Sequence, residues 1–281
     1  MSNILEGVRV VSLAINLPGP LAAARLAEHG ASVTKVEPPG GDPVQAVTPQ
    51  WYAELTKDQL VIELDLKNPT DRSELDELLT GADLLITSVR PSALRRLGLA
   101  DAHVTHPGLS HVEIVGHDGE LEEAPGHDLT YQAAFGTLDP PSMPRVPVAD
   151  LLGSERAVSA ALLALIDAKR TGTGRTHRIV LEDAAAFAGQ AVKHGLMGPG
   201  TSLGGATPTY GIYEAADGFI ALGALEPHFR QRVLDTLVVE DTHDAIATAF
   251  ATKTTSEWES IAAAADIPLV GIRSETTGVM T

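Results

Sequence analysis

Cysteine is absent from this chain of 281 residues, and positive charge is scarce, with 20 Lys and Arg residues against 37 Asp and Glu residues. The lack of cysteine excludes disulfide bonds, thiolate metal ligands and a cysteine nucleophile, and it fits a reducing compartment. The formal net charge of −17 argues against a protein that binds nucleic acid or an anionic lipid surface. A polyanionic ligand would need a local basic pocket that offsets the repulsion from the negative charge of the rest of the protein.

Long hydrophobic runs are also missing. Charged residues interrupt the alanine-rich stretches before they reach the length of about eighteen residues that a membrane span needs. Residues 1–9 lack the basic start and apolar run of a signal peptide. Hydrophobic residues nevertheless make up 44% of the chain, which is enough for a folded core. We therefore expect a cytoplasmic protein with neither a membrane nor a nucleic acid as its partner.

The first half of the chain alternates short apolar runs with helical patterns. Residues 8–13 read VRVVSL, which predicts a buried strand, and residues 18–29 have Pro near the start and Gly just past the end, as helices do. The same alternation recurs as far as a strand predicted at residues 109–115. It predicts the α/β class, with a Rossmann-like parallel sheet covered by helices on both faces. In such sheets ligands bind at the carboxyl ends of the strands.

A Gly- and Pro-rich segment at residues 197–208 separates this pattern from a second one. Beyond it, two runs of period 2 flank Asp217 and Gly218 and predict a β-hairpin, which helical patterns follow. We predict a large Rossmann-like domain over residues 1–198 and a smaller α+β domain over residues 199–281.

Several familiar motifs are absent or incomplete. The chain has neither a GxGxxG fingerprint nor a phosphate-binding loop that ends in Gly-Lys-Ser/Thr. Residues 200–204 match GxSxG by letter, but no apolar strand precedes them, as a hydrolase elbow requires. His103 and His106 have a metal-compatible spacing, but no HExxH helix accompanies them, so we predict no metal site.

Asp150 and His127 each admit two interpretations from position alone. Asp150 directly precedes the longest predicted helix, residues 151–169, so it is either the N-cap, worth about 1 kcal/mol, or a functional carboxylate. In the functional interpretation, free backbone N–H groups beside it would stabilise an enolate or a tetrahedral oxyanion. His127, in the loop Pro-Gly-His-Asp, is either a surface histidine or a base exposed to a cleft.

A set of short segments carries a family resemblance that bears on both residues. These segments are LEGVRV at residues 5–10, PGP at 18–20, KVEPPGGDP at 35–43, PGHD at 125–128, VAD at 148–150 and ALEP at 224–227. In this order the chain resembles the family III CoA-transferases of the CaiB/BaiF type, and most closely their α-methylacyl-CoA racemase branch.

The resemblance implies two chemistries on one fold. In a racemase, His127 would be a base and Asp150 an acid or base on the opposite face of the substrate, while Glu226 would orient the histidine. The enzyme would invert the α-carbon of a 2-methylacyl-CoA thioester by two-base proton transfer. In a CoA-transferase, Asp150 would instead carry CoA as an aspartyl thioester. A third alternative is a catalytically degenerate family member that serves as a structural subunit.

The resemblance also implies ligand contacts and an assembly. The large domain would bind coenzyme A as part of the substrate, with no metal and no other cofactor required. The residues expected to contact CoA are Lys57, Arg90, Arg95 and Pro38. The expected assembly is a homodimer, or a heteromer with a longer paralogue, because the family's C-terminal return segment is not found after the part that matches Ile272.

Two departures from the family pattern concern the site. Lys57 is the one basic residue in residues 55–59, where the family has a basic run that helps hold the CoA phosphates. Leu152 stands where the family tends to place a glycine, two residues after the catalytic aspartate. A leucine side chain at that position would block the oxyanion site.

Overall fold

The structure is a computed structural model that describes residues 3–273. The chain divides into two compact units, Met1–Gly189 and Gln190–Thr281. The division lies at residues 189/190, whereas the Gly- and Pro-rich segment of the sequence predicts a domain boundary at residues 198/199.

The first unit is built on a parallel sheet of six strands in the order β3-β2-β1-β4-β5-β6. The strands are β1 Arg9–Ser12, β2 Ser32–Glu37, β3 Gln59–Glu63, β4 Leu84–Thr87, β5 Ser110–Val115 and β6 Thr176–Val180. The strand order reverses between β1 and β4, which creates a crevice at the carboxyl ends of these two strands. The first unit therefore has the predicted α/β architecture, with its ligand crevice set by topology.

Nine α-helices of the first unit are found in the described residues. They are α1 Pro18–Glu28, α2 Pro43–Val47, α3 Pro49–Thr56, α4 Pro69–Thr80, α5 Pro91–Arg96, α6 Ala102–Thr105, α7 Asp128–Ala134, α8 Val148–Thr171 and α9 Leu181–Ala188. Neighbouring residues of one strand pack into different cores, since Val10 joins one cluster with Leu26 of α1, and Val11 joins another with Leu75 of α4. The sheet is thus covered on both faces, as predicted.

Helix α8 carries the predicted functional carboxylate and is the longest helix, with 24 residues or about 36 Å. Its buried face is rich in alanine, including Ala157, Ala161 and Ala164, so the helix backbone can approach α1 and the sheet closely. It ends at Gly172, whose φ of 75° is a left-handed C-cap. It begins at Val148 and not at the predicted residue 151, and this difference changes the position of Asp150 within the helix.

The second unit contains an antiparallel sheet with the order β7-β8-β9. Its elements are α10 Gln190–Lys193, β7 Tyr210–Ala215, β8 Gly218–Gly223, α11 Pro227–Leu237, α12 His243–Phe250, α13 Thr255–Ala265 and β9 Leu269–Gly271. The predicted hairpin is confirmed, because β7 and β8 pair across a turn at Asp217. Phe250 and Trp258 stack edge to face at 5.1 Å in its core. Across residues 3–273, no helix combines the length and the apolar character needed to cross a bilayer.

Candidate active site

A pocket of about 530 Å³ opens at the carboxyl ends of the strands in the first unit. Residues that follow β1 and β4 form part of its wall, together with the end of β5 and the starts of α7 and α8. Three residues singled out from the sequence line this one pocket: Arg90, His127 and Asp150. The topology thus brings together an imidazole, a carboxylate and a guanidinium that are far apart along the chain.

Asp150 is the third residue of α8, and its side chain is half-buried. The N-cap is Pro147, so the interpretation of Asp150 as the cap is wrong. The carboxylate is therefore free of a capping role and lines the pocket.

The backbone N–H groups at the start of α8 are already engaged. Those of Ala149 and Asp150 donate to Oδ1 of Asp128 at 2.7 and 3.2 Å. Those of Val148 and Leu151 donate to the carbonyl oxygens of residues 146 and 147, both at 3.0 Å. The expectation that these N–H groups hold a substrate oxyanion is therefore wrong, because protein acceptors occupy them.

His127 stands directly before α7 in extended backbone conformation and is exposed to solvent. Its N–H donates to Oγ1 of Thr130 at 3.1 Å, and that hydroxyl donates to the carbonyl oxygen of His127 at 2.8 Å. This reciprocal pair fixes the backbone of the histidine at the start of the helix.

The environment of Asp150 raises the pKa of its carboxyl group above the value of a free aspartate. Burial, and secondarily the negative charge of Asp128, raises the pKa of Asp150 to about 6, while the charge of His127 opposes part of this rise. Asp150 can therefore both hold and release a proton close to neutral pH.

Tyr131 is a buried residue of the pocket wall that is not among the residues predicted from the sequence. A Cβ atom at Gly116 would lie 2.3 Å from its hydroxyl oxygen, and one at Gly126 would lie 2.5 Å away. Burial and the charge of Asp150 raise the pKa of Tyr131 to about 12, so its hydroxyl remains a hydrogen-bond donor. The two glycines are the signal in the sequence, since only a residue without a side chain leaves room for the phenol ring.

A buried ionic network fixes another part of the wall. Lys35 is fully buried, and its Nζ contacts Glu37 at 2.9 Å and Asp42 at 2.8 Å. Oδ1 of Asp42 accepts the N–H of Asn16 at 3.1 Å, and Asn16 lines the pocket with a φ of 69°. The hydroxyl of Tyr52 donates to Glu37 at 2.8 Å. The KVEPPGGDP segment therefore has a structural function beside the pocket.

The residues expected at the CoA phosphates occupy different surroundings. Arg90 directly precedes α5 and lines the pocket. Arg95, one turn further, pairs with Glu122 at 3.3 Å and with Glu123 at 3.2 Å. Lys57 is exposed at the end of α3 and is not among the described residues that line the pocket.

The remaining predicted residues also have defined positions. Pro38 is exposed in the loop after β2 and does not contribute to the described pocket lining. Glu226 belongs to the second unit, where it is exposed directly before α11. Leu152 is likewise not among the described lining residues, whereas Leu181 of α9 is. A Cβ atom at Gly153 would lie 2.3 Å from Leu181, so this glycine permits the close approach of α9 to α8.

Comparisons with known proteins cover most of the chain. The family model described as CoA-transferase family III matches residues 5–277. A succinate–glutarate CoA-transferase of Agrobacterium fabrum is 33% identical over 249 residues, which are 78% of this chain and 62% of that protein. The human α-methylacyl-CoA racemase is 28% identical over 288 residues, which are 90% of this chain and 74% of that protein.

The fold is shared with solved structures. A CaiB/BaiF family protein of Brucella suis superposes with a TM-score of 0.82 and 22% identity, over 98% of this chain and 85% of that one. A hypothetical protein of Mycobacterium tuberculosis, Rv3272, gives a TM-score of 0.81 with 22% identity, over 99% and 87%. At this identity the likeness shows the architecture.

Proposed function

The chain belongs to CoA-transferase family III, and from this premise we propose that it is an acyl-CoA racemase or epimerase that inverts the α-carbon of a 2-methylacyl-CoA thioester. One observation carries the proposal: His127 and Asp150 line the same pocket. A transferase of this type needs the carboxylate alone, whereas inversion at carbon needs a second proton-transfer group beside it. The imidazole therefore favours the racemase chemistry.

The proposed reaction conserves its protons. In one direction the His127 imidazole takes the α-proton, and the electron pair of the broken C–H bond moves onto the thioester oxygen as an enolate. The carboxylic acid of Asp150 then gives its proton to the opposite face of the α-carbon. The enzyme ends with an imidazolium and a carboxylate, which is the state that the opposite enantiomer requires, and exchange with water restores the first state. The pKa of Asp150, raised to about 6, suits this reversal of roles.

The enolate oxygen needs a hydrogen-bond donor, and the start of α8 offers none because its N–H groups bind protein acceptors. We assign this role to the hydroxyl of Tyr131, which stays protonated and belongs to the same pocket wall. Arg90 is our first candidate for a CoA phosphate contact, and Lys57, Arg95 and Pro38 remain proposals for the CoA path. Glu226 remains the proposed carboxylate that orients the histidine.

The reaction as proposed requires no metal and no redox cofactor, because proton transfer alone inverts the centre. Coenzyme A enters as part of the substrate. The proposed assembly is a homodimer or a heteromer with a longer paralogue, and light scattering of the purified chain distinguishes a dimer from a monomer.

The direct test is solvent deuterium exchange. The protein is incubated with a single enantiomer of a 2-methylacyl-CoA in D2O, and α-deuterium and stereochemistry are followed by NMR and chiral chromatography. The wild type should incorporate deuterium with loss of chirality. No incorporation into an intact substrate would overturn the proposal.

Variants assign the two groups. His127→Asn and Asp150→Asn should each abolish inversion, while each can still exchange the proton on the face that the remaining group serves. The matched controls are His106→Asn and Asp58→Asn, which lie outside the described pocket lining and should leave the exchange rate unchanged.

CoA transfer is the second candidate, and the relatedness to a CoA-transferase at 33% identity favours it. Asp150 would attack the thioester carbonyl and expel the CoA thiolate, which would then attack the resulting anhydride to give an aspartyl-CoA thioester and a free carboxylate. Hydroxylamine trapping after addition of acyl-CoA should modify Asp150 if this route operates. His127→Asn then separates the candidates, because it should spare transfer and stop inversion.

A further inference from the structure

We propose that Asp128 is the positioning residue of the site, which holds the segment carrying His127 against the helical turn carrying Asp150. The inference rests on the proposed function for its catalytic consequence, but its geometry stands on its own. Asp128 follows His127 directly and is the first residue of α7. Its Oδ1 accepts the backbone N–H groups of Ala149 and Asp150, more than twenty residues further along the chain.

The second carboxylate oxygen of Asp128 also helps to link α7 to the start of α8, through Gln132. Oδ2 accepts a hydrogen bond from Nε2 of Gln132, one turn further along α7. The same Nε2 donates to the carbonyl oxygen of Val146 at 3.0 Å, just before α8 begins. Gln132 is buried, with 3% of its surface exposed, so these bonds are protected from water. Both oxygens of Asp128 are therefore engaged, and we assign it no proton-transfer role.

The charge of Asp128 has a second effect that is separate from its hydrogen bonds. Its negative charge faces Asp150 and contributes to the raised pKa of that residue, after burial. The charge of His127 also acts on Asp150, the charge of Asp150 acts in turn on Tyr131, and Arg90 and Glu122 line the same pocket. Removing the charge alone should therefore lower the pKa of Asp150, whereas removing the side chain should also release the two segments from each other.

Two variants separate these effects. Asp128→Asn loses the charge and one of the two acceptor oxygens, and the oxygen that remains can still accept the N–H groups of Ala149 and Asp150. Asp128→Ala loses the charge and both acceptors. The matched control is Asp217→Asn in the second unit, because Oδ1 of Asp217 accepts the N–H of Thr255 at 2.7 Å and holds the start of α13 in the same way. All variants are examined in the full chain.

The first readout is independent of activity. Carboxyl ¹³C NMR of Asp-labelled protein, with the resonance assigned through Asp150→Asn, should give a pKa for Asp150 that is about one unit lower in Asp128→Asn than in the wild type. Asp217→Asn should leave this pKa unchanged. An unchanged pKa in Asp128→Asn would overturn the electrostatic part of the proposal, whether or not the protein proves to be a racemase.

The second readout is deuterium exchange as a function of pH. For Asp128→Ala we expect kcat to fall about 10- to 100-fold with KM for the acyl-CoA within about threefold, because the two groups lose their mutual register. Asp128→Asn should recover most of this kcat and, in the direction in which Asp150 is the base, move the acidic limb of the profile to lower pH. Equal kcat in the wild type and Asp128→Ala would overturn the positioning role. If the wild type itself shows no exchange, the proposed function fails, and the NMR result still decides the electrostatic coupling.

Discussion

The ammonium group of Lys35 offers a quantitative test of how the pocket wall is held. It is fully buried and contacts three oxygens: Glu37 at 2.9 Å, Asp42 at 2.8 Å and the carbonyl of Ala14 at 3.3 Å. Lys35→Met removes the charge and retains most of the aliphatic stem, so that packing changes little.

The loss of stability in Lys35→Met depends on the two carboxylates that remain buried without their ammonium partner. Loss of one partner from a buried ion pair costs about 3–5 kcal/mol, because the other charge remains desolvated. Here one ammonium compensates two carboxylates, whose side chains are 7% and 0% exposed, which favours the upper part of this range. Glu37 still accepts from Tyr52 and Asp42 still accepts from Asn16, which favours the lower part. We expect a loss of about 4 kcal/mol in the free energy of unfolding.

Urea denaturation followed by circular dichroism measures this loss, with Lys67→Met as an exposed control that should change stability by less than about 0.5 kcal/mol. A double-mutant cycle with Glu37→Gln adds specificity, because that substitution should cost less in the Lys35→Met background, where it removes a stranded charge. A loss below about 1 kcal/mol, or strict additivity in the cycle, would refute the reasoning.

Four further predictions concern single side chains. Burial lowers the pKa of His111 to about 4, so the folded protein holds this imidazole in its neutral form. The free energy of unfolding that neutral His111 contributes should be fully present above about pH 6.5 and should fall by about 3 kcal/mol as the pH drops to 4. His111→Gln should remove this pH dependence, as measured by urea denaturation at each pH. Tyr131→Phe should slow deuterium exchange about 100-fold at unchanged melting temperature. Gly126→Ala should lower unfolding free energy by about 1–3 kcal/mol through the clash with that ring, measured by denaturation. Leu152→Gly should fail to accelerate exchange, because Leu152 does not contribute to the described pocket lining, and should cost about 1 kcal/mol of helix stability.

The sequence predicted the sheet well, because buried parallel strands leave uninterrupted apolar runs. The predicted strand at residues 8–13 contains β1, in which Val10, Val11 and Ser12 are buried. Helices α2 and α3 escaped prediction because Pro43 and Pro49 punctuate a stretch whose residues are mostly exposed, so that no apolar period develops. The conformation of the surrounding loop determines such short helices, and their own hydrophobic periodicity does not reveal them.

At the site, the sequence identified residue types but not their hydrogen-bonding partners. Asp is a favoured N-cap, so the sequence predicts Asp150 directly before the helix. The helix instead starts after Pro147, and the acceptor for its first N–H groups comes from a distant segment. That acceptor, Asp128, lies 21 residues away from Ala149 along the chain. Local periodicity carries no information about a bond of this range, and only the folded chain reveals it.

The alanine-rich buried face of α8 also restricts insertions and deletions in the part of the gene that encodes this helix. Because an α-helix turns by about 100° per residue, one codon inserted between Asp150 and Ala157 would rotate the carboxylate away from the pocket while the packed stripe stayed in place. Seven inserted codons would nearly restore its direction but would displace it by about 10 Å along the helix axis. Residues between Asp150 and Ala157 can therefore change in type during evolution. Their number is fixed, because it sets the direction and the distance of the Asp150 carboxylate from the packed alanine stripe.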